Sequence, residues 1–222
     1  ALQWLPENLL FFHLPRDLRD LAFVRPRRAC NAAPATTGDG KLVGYGTDIG
    51  PDLEIGVRPG SLATPGGLRT LYVTGTDRFG RDRLLALRRL ADRWVVAADD
   101  LIPMGAGGNV DGAREPVVFA RGGQWMMVYA AGRGGVWRLR RASSEDGLVW
   151  NPIEGEALPE APSFESVEQF AHSVVAEEGG WRLFYAGGDG GRTRIGEATS
   201  TDGISWTRLP GLEGAWTLPQ GE

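Results

Sequence analysis

The chain has 222 residues, with 24 Lys plus Arg against 28 Asp plus Glu, a net charge of -4 and a pI near 5.4. That balance excludes the broad basic field a nucleic-acid backbone needs, although Arg is locally dense in RPRR (25–28) and RLRR (138–141). With 42% hydrophobic residues, 33 Gly and 14 Pro, the composition is that of a folded core with many turns rather than a low-complexity chain. The length suits one all-β domain or two small ones, and without a linker-like segment we read a single domain over 1–222. Cys30 stands alone, which rules out an intrachain disulfide and a paired-cysteine metal site. No apolar run approaches the roughly 18 residues of a membrane helix, so no membrane partner is expected. The opening ALQWLPENLLFFHLP lacks the basic stretch of a secretory leader. One Lys among many Arg, with abundant Ala and Gly, points to a high-GC bacterial genome, and the lone Cys fits a reducing, cytoplasmic compartment, with a secreted mature chain as the alternative.

In chain order, LLFFHL and KLVGYG offer strands for an N-terminal unit of about 1–56, and PRDLRDLAFVRPRR (15–28) reads as a short helix. A second unit, about 57–110, contains TLYVTG and Trp94. The pattern becomes regular beyond it. Residues 124–150, QWMMVYAAGRGGVWRLRRASSEDGLVW, align without a gap on 180–206, GWRLFYAGGDGGRTRIGEATSTDGISW. Trp125 and Trp181, Tyr129 and Tyr185, Ala142 and Ala198, Asp146 and Asp202, and Trp150 and Trp206 are all 56 apart. Trp94 lies 56 before Trp150 and Ala86 lies 56 before Ala142, a fainter third copy. These spacings predict units of about 111–166 and 167–222 after the first two.

Each regular unit reads as strands. WMMVYAAG and WRLFYAGG are apolar and stop at Gly; VWRLRRAS and TRIGEATS alternate apolar with polar; Asp-Gly then turns the chain. EPVVFARGG and HSVVAEEGG add one strand ahead of each, and GAWTLP one at the tail. Four antiparallel strands joined by tight turns make a propeller blade. On this reading Asp146 and Asp202 shape the turn, Gly147 and Gly203 take the positive φ, and Trp150 and Trp206 pack between blades.

The unit, an apolar strand ending Tyr-x-x-Gly followed by Ala-Ser-x-x-Asp-Gly-x-x-Trp, resembles the blade of the five-bladed β-propellers of glycoside hydrolase families 43, 32, 62 and 68 and of related mannoside phosphorylases. RIGEATSTDGISW and REPVVFARGGQWMMVYAAG carry the resemblance over about 110–210. Sialidase Asp-boxes are set aside because they separate Asp from Gly. The resemblance implies an all-β propeller, and four periods of 56 nearly exhaust the chain, so about four blades are expected where the family has five. It also implies a carbohydrate-active enzyme with acidic residues on the innermost strands, around a central funnel. The family's second acid lies in Arg-Asp-Pro; here the match is Arg114-Glu115-Pro116, one methylene longer.

Glycoside hydrolysis needs two carboxyl groups flanking the anomeric carbon. Glu115 is the first candidate. SFESVEQFAH supplies Glu165 and Glu168; Glu168, nearer the strand, is the expected general acid, while both compete with a solvated loop role. Asp48 in YGTDIG, or Asp52, would be the base, against plain turn roles beside Gly or Pro. Arg114 suits a sugar hydroxyl, carboxylate or phosphate. His172 lies 56 after Pro116, at an inner-strand start, and Asp77 and Asp189 follow equivalent strands at one rim. These four are the expected substrate contacts, with structural histidine and turn aspartates as the bland alternatives. No metal-ligand spacing is found and no cofactor is expected, calcium in the funnel being the one ion the resemblance allows. Two rival functions stay open: a propeller that binds a sugar or small molecule without hydrolysing it, and one recruited to acid/base chemistry on a non-sugar substrate.

Overall fold

The computed structural model describes residues 41–42, 47–48, 58–76, 81–90, 93–159, 163–209 and 215–216. Asp52, Asp77, His13, Cys30 and the helix expected over 15–28 lie outside the described residues. What is described is all-β, apart from three short 3-10 turns. None of its helices is long and apolar enough to cross a membrane.

Strands β1 (Lys41–Leu42) and β2 (Thr47–Asp48) form a short antiparallel pair. Three antiparallel meanders follow. The first blade is β3 (Arg58–Ala63), β4 (Thr70–Thr76), β5 (Asp82–Leu90) and β6 (Arg93–Ala98). The second is β7 (Gly112–Arg121), β8 (Gln124–Arg133), β9 (Val136–Ser144) and β10 (Asn151–Ile153). The third is β11 (Glu168–Glu177), β12 (Gly180–Gly188), β13 (Thr193–Ser200) and β14 (Thr207–Arg208). The tail strand β15 (Ala215–Trp216) pairs with β13. The sheets do not close into a complete ring among the described residues; a single parallel bridge, Asp82 to Gly112, joins the first two.

Alternation along β8 and β9 explains how the blades stack. Met127, Tyr129 and Ala142 point one way and join Tyr72, Leu84 and Ala86 of the first blade in one core. Met126, Val128 and Leu139 point the other way and meet Leu183, Tyr185 and Ala198 of the third blade. Each such side chain withdrawn from water contributes about 1.5–3 kcal/mol, so the second blade, apolar on both faces, is the centre of the fold.

The turns that open each unit's last strand act as expected, with one difference of detail. Asp146 Oδ1 accepts from the amides of Leu148 and Val149 and from the Ser144 hydroxyl; Asp202 Oδ1 accepts from Ile204, Ser205 and Ser200 in the same way. Gly147 and Gly203 stand at φ of 76° and 66°. The loop is not a two-residue hairpin, because β9 ends at Ser144 and β10 begins at Asn151, leaving room for an Asx turn. Those amide donors hold Asp146 below its ordinary pKa and Asp202 down to about 2. Trp150 meets Tyr72 edge-on at 5.8 Å, and Trp206 meets Phe119 at 6.2 Å, each reaching into the preceding blade. In the first blade this loop is absent: β5 turns directly into β6, with Arg89 opposite Trp94.

Candidate active site on the first strands of the blades

The first strands of the three blades, β3, β7 and β11, lie side by side. The amide of Val118 donates to Ser61 Oγ at 2.7 Å across β3 and β7, and Val117 shares a core with Ala171 across β7 and β11. All three strands lose register at corresponding places: between Pro59 and Leu62, between Arg114 and Val117, and between Ala171 and Ser173. Gly60, Pro116 and His172 therefore occupy one position, 56 residues apart, each inside a β-bulge. A bulge leaves a residue outside the ladder and re-aims its side chain, and such features recur beside active sites. Close packing fixes the first two: a Cβ on Gly60 would come within 2.8 Å of Pro116, so β3 and β7 approach this closely only with glycine there.

Glu115 lies in the middle bulge with a φ of +55°, a left-handed conformation that a non-glycine residue holds only when its surroundings impose it. Part of that imposition is visible: the Glu115 amide donates to Thr74 Oγ1 at 2.9 Å, and Pro116 fixes the following backbone. The side chain is half-buried.

Arg114 leaves β7 beside it and is clamped. Its guanidinium lies 3.6 Å from the centroid of Trp137 on β9 and 4.3 Å from that of Phe170 on β11, and 3.8 Å from the Asp82 carboxylate. The two rings, themselves 6.3 Å apart, form an aromatic corner against which the guanidinium packs. Trp137 in turn lies on Gly132, where a Cβ would stand 2.9 Å from the indole. Sequence reasoning missed Trp137, Phe170, Asp82 and Thr74. Only the bulge position could have been found, by carrying the 56-residue offset back from Pro116 to Gly60.

His172 keeps more than a third of its surface open to water, yet the protein around it disfavours the charged ring and holds its pKa below the ordinary value. Both statements hold for a side chain on a concave wall, open to solvent on one side and crowded on the others. Glu168 begins β11 opposite Gly188, with its carboxylate against that glycine. It is three residues before Ala171, the counterpart of Glu115, and about 10 Å along the strand from that level. Asp48 ends β2, paired to Lys41, and its side chain lies outside the described residues.

Two further acids are tied into the fold by hydrogen bonds. Glu165, expected in a solvated loop, is fully buried: Arg208 donates to Glu165 Oε1 and, through another nitrogen, to the carbonyl of Pro159. Burial pushes the Glu165 carboxyl up while Arg208 pulls it down. The 3-10 turn carrying Glu165 packs on β12 and β13, and Arg208 from β14 reaches its carboxylate. Asp189 is exposed at the β12–β13 loop, where Oδ1 accepts from the amides of Gly191 and Arg192, which hold its pKa down. Among the described residues no three His, Cys, Asp or Glu stand together as a metal site.

No protein-family profile matches the chain, and no curated protein matches it. Solved structures do. A family 117 glycoside hydrolase from Zobellia galactanivorans superposes with a TM-score of 0.60 at 15% identity, over 76% of this chain and 60% of that one. A thermostable family-43 glycoside hydrolase gives 0.58 at 15% identity, over 77% of this chain and 61% of its own. Sucrose-6-phosphate hydrolase from Lactobacillus gasseri gives 0.60 at 12% identity, over 75% and 35%. The chain thus spans between 35% and 61% of the length of these structures. At such identities the likeness is one of fold: this chain is built from the blades of the β-propellers found in glycoside hydrolases.

Proposed function

We propose that this chain is the site-bearing part of a carbohydrate-active enzyme, in which Glu115 is the central carboxylate for cleavage of a glycosidic bond. One observation carries the reading. Glu115 is held at φ +55° on the bulged first strand of the central blade, where a glycine would sit without strain. A left-handed Glu costs about 1–2 kcal/mol, a cost retained where the side chain is needed at that place. In the reaction, Glu168 donates its proton to the leaving oxygen and Asp48 takes one from the attacking water. Glu115 holds negative charge beside the oxocarbenium-like transition state. Arg114, packed against Trp137 and Phe170, orients sugar hydroxyls.

The clamped Arg114 and the near-neutral His172, together with Glu168 starting about 10 Å along the strand from the Glu115 level, also support a second reading. In that one the site binds a sugar, or moves a proton on a non-sugar substrate, without paired carboxylates. Aryl furanosides and pyranosides assayed with wild type and Glu115→Gln separate the two. Turnover by the wild type, lost in the variant, supports hydrolysis. A wild type that is inert on the whole panel, yet binds oligosaccharide in calorimetry, overturns hydrolysis in favour of binding.

A further inference from the structure

The strain at Glu115 is held from outside its own strand, and the first blade supplies the hold. On one side β7 pairs with β8, but the bulge takes Glu115 and Pro116 out of that ladder, between the pairing of Arg114 with Ala130 and that of Val117 with Val128. On its other side, beyond the one bridge at Gly112, two β7 amides donate to hydroxyls of the first blade. The Glu115 amide reaches Thr74 Oγ1 at 2.9 Å, and the Val118 amide reaches Ser61 Oγ at 2.7 Å. Between these bonds Pro116 sits on Gly60, where a Cβ would come within 2.8 Å of both the proline ring and its carbonyl oxygen. A peptide unit is planar, so a residue's backbone is set once the planes before and after it are set. Thr74 pins the plane before Glu115, and the seat of Pro116 pins the plane after it, with Ser61 fixing the strand two residues on.

We propose that Ser61 and Thr74 are positioning residues for Glu115. They impose its left-handed backbone and aim its carboxylate, so the site is complete only where the first blade packs on the second. Thr74 suits the task because it is fully buried and β-branched, which keeps its hydroxyl in place. Removing that acceptor leaves the Glu115 amide unsatisfied, a penalty of the same order as the strain it offsets. The molecule carries its own comparison. At the next interface, 56 residues on, Val117 and Ala130 take the places of Ser61 and Thr74 and offer no hydroxyl. There Ala171, the counterpart of Glu115, stays paired with Tyr185 and is not among the positive-φ residues, although β11 bulges directly after it. A bulge by itself therefore does not make a left-handed residue; the strand that has one is the strand braced by hydroxyls.

The catalytic consequence rests on the hydrolytic reading of Glu115, the backbone consequence does not, and the test separates them. Crystal structures of two variants read the backbone. Thr74→Val keeps the shape and removes the acceptor, and Glu115 should leave positive φ; Thr74→Ser keeps the oxygen, and φ should stay near +55°. Kinetics on an aryl glycoside that the wild type turns over read the consequence. Thr74→Val should lose kcat about 10²-fold with KM unchanged, and Thr74→Ser should keep most of it. Ser61→Ala, at a half-buried position, gives the same two readings should Thr74→Val not fold. Glu115 still near +55° in Thr74→Val, or in Ser61→Ala where that is the variant that folds, overturns the proposal, as does wild-type kcat in that variant. A wild type inert on every aryl glycoside removes the hydrolytic reading alone, and the φ of Glu115 in the variants then decides this one.

Discussion

The second and third blades are written in one pattern and end up in different situations. Both carry Trp, Tyr, Ala, Asp-Gly and Trp at the same intervals, and both build the same Asx turn. Yet β7 bulges around a left-handed Glu115, whereas β11 bulges at His172, which is not among the positive-φ residues. Among the described residues the second blade is packed on both faces, the third on one. What a residue contributes is thus set by what its blade packs against, even where the local sequence pattern is shared.

The largest test of this pairing is the inter-blade tryptophan. Trp150→Ala and Trp206→Ala should each cost about 3–5 kcal/mol in urea unfolding, since both rings are buried in the preceding blade. If one is nearly silent, the two turns are not equivalent. Next comes the difference between faces. Leu139→Ala should cost about 2–5 kcal/mol, while its counterpart Ile195→Ala, at an exposed position, should cost under about 1 kcal/mol. Equal losses would erase the contrast.

The bulges give a smaller effect with the opposite sign. Glu115→Gly should stabilise by up to about 1 kcal/mol, relieving left-handed strain of about 1–2 kcal/mol less the freedom glycine gains when unfolded, while abolishing activity. His172→Gly should only destabilise. A Glu115→Gly protein less stable than wild type would mean that the surroundings do not strain this residue.

The turns give a pH signature. Asp202 titrates lower in the folded chain, down to about 2, than in an unfolded one near 4. Its stabilisation is therefore complete above pH 4 and is lost as pH falls from about 4 towards 2. Asp202→Asn should weaken the acid dependence of the urea midpoint in that window, by less than about 1 kcal/mol because the group is largely solvated. The smallest effect belongs to His172, whose lowered pKa makes stability fall below about pH 6.5, where the unfolded ring takes up a proton first. His172→Gln should flatten the midpoint between pH 7 and 5; an unchanged slope would remove the crowded-wall description.

The sequence alone determined the strand pattern, the blade unit, the turn role of Asp146 and Asp202 and the packing role of their tryptophans. All of these are local or periodic, and alternation, Asx turns and glycine at positive φ leave a mark within a few residues. It also brought Arg114, Glu115 and His172 forward, through one offset and one resemblance. Only the tertiary structure decided that Glu165 is buried against Arg208 rather than solvated, and that Arg114 is packed against Trp137 and Phe170. It also showed that Glu115 is strained and anchored by Thr74. Each of these joins residues that lie 23 to 56 positions apart in the chain, on different strands or turns. Nothing in the local pattern records which surfaces such pairs will share, because burial, stacking and imposed backbone strain are properties of the neighbour rather than of the strand.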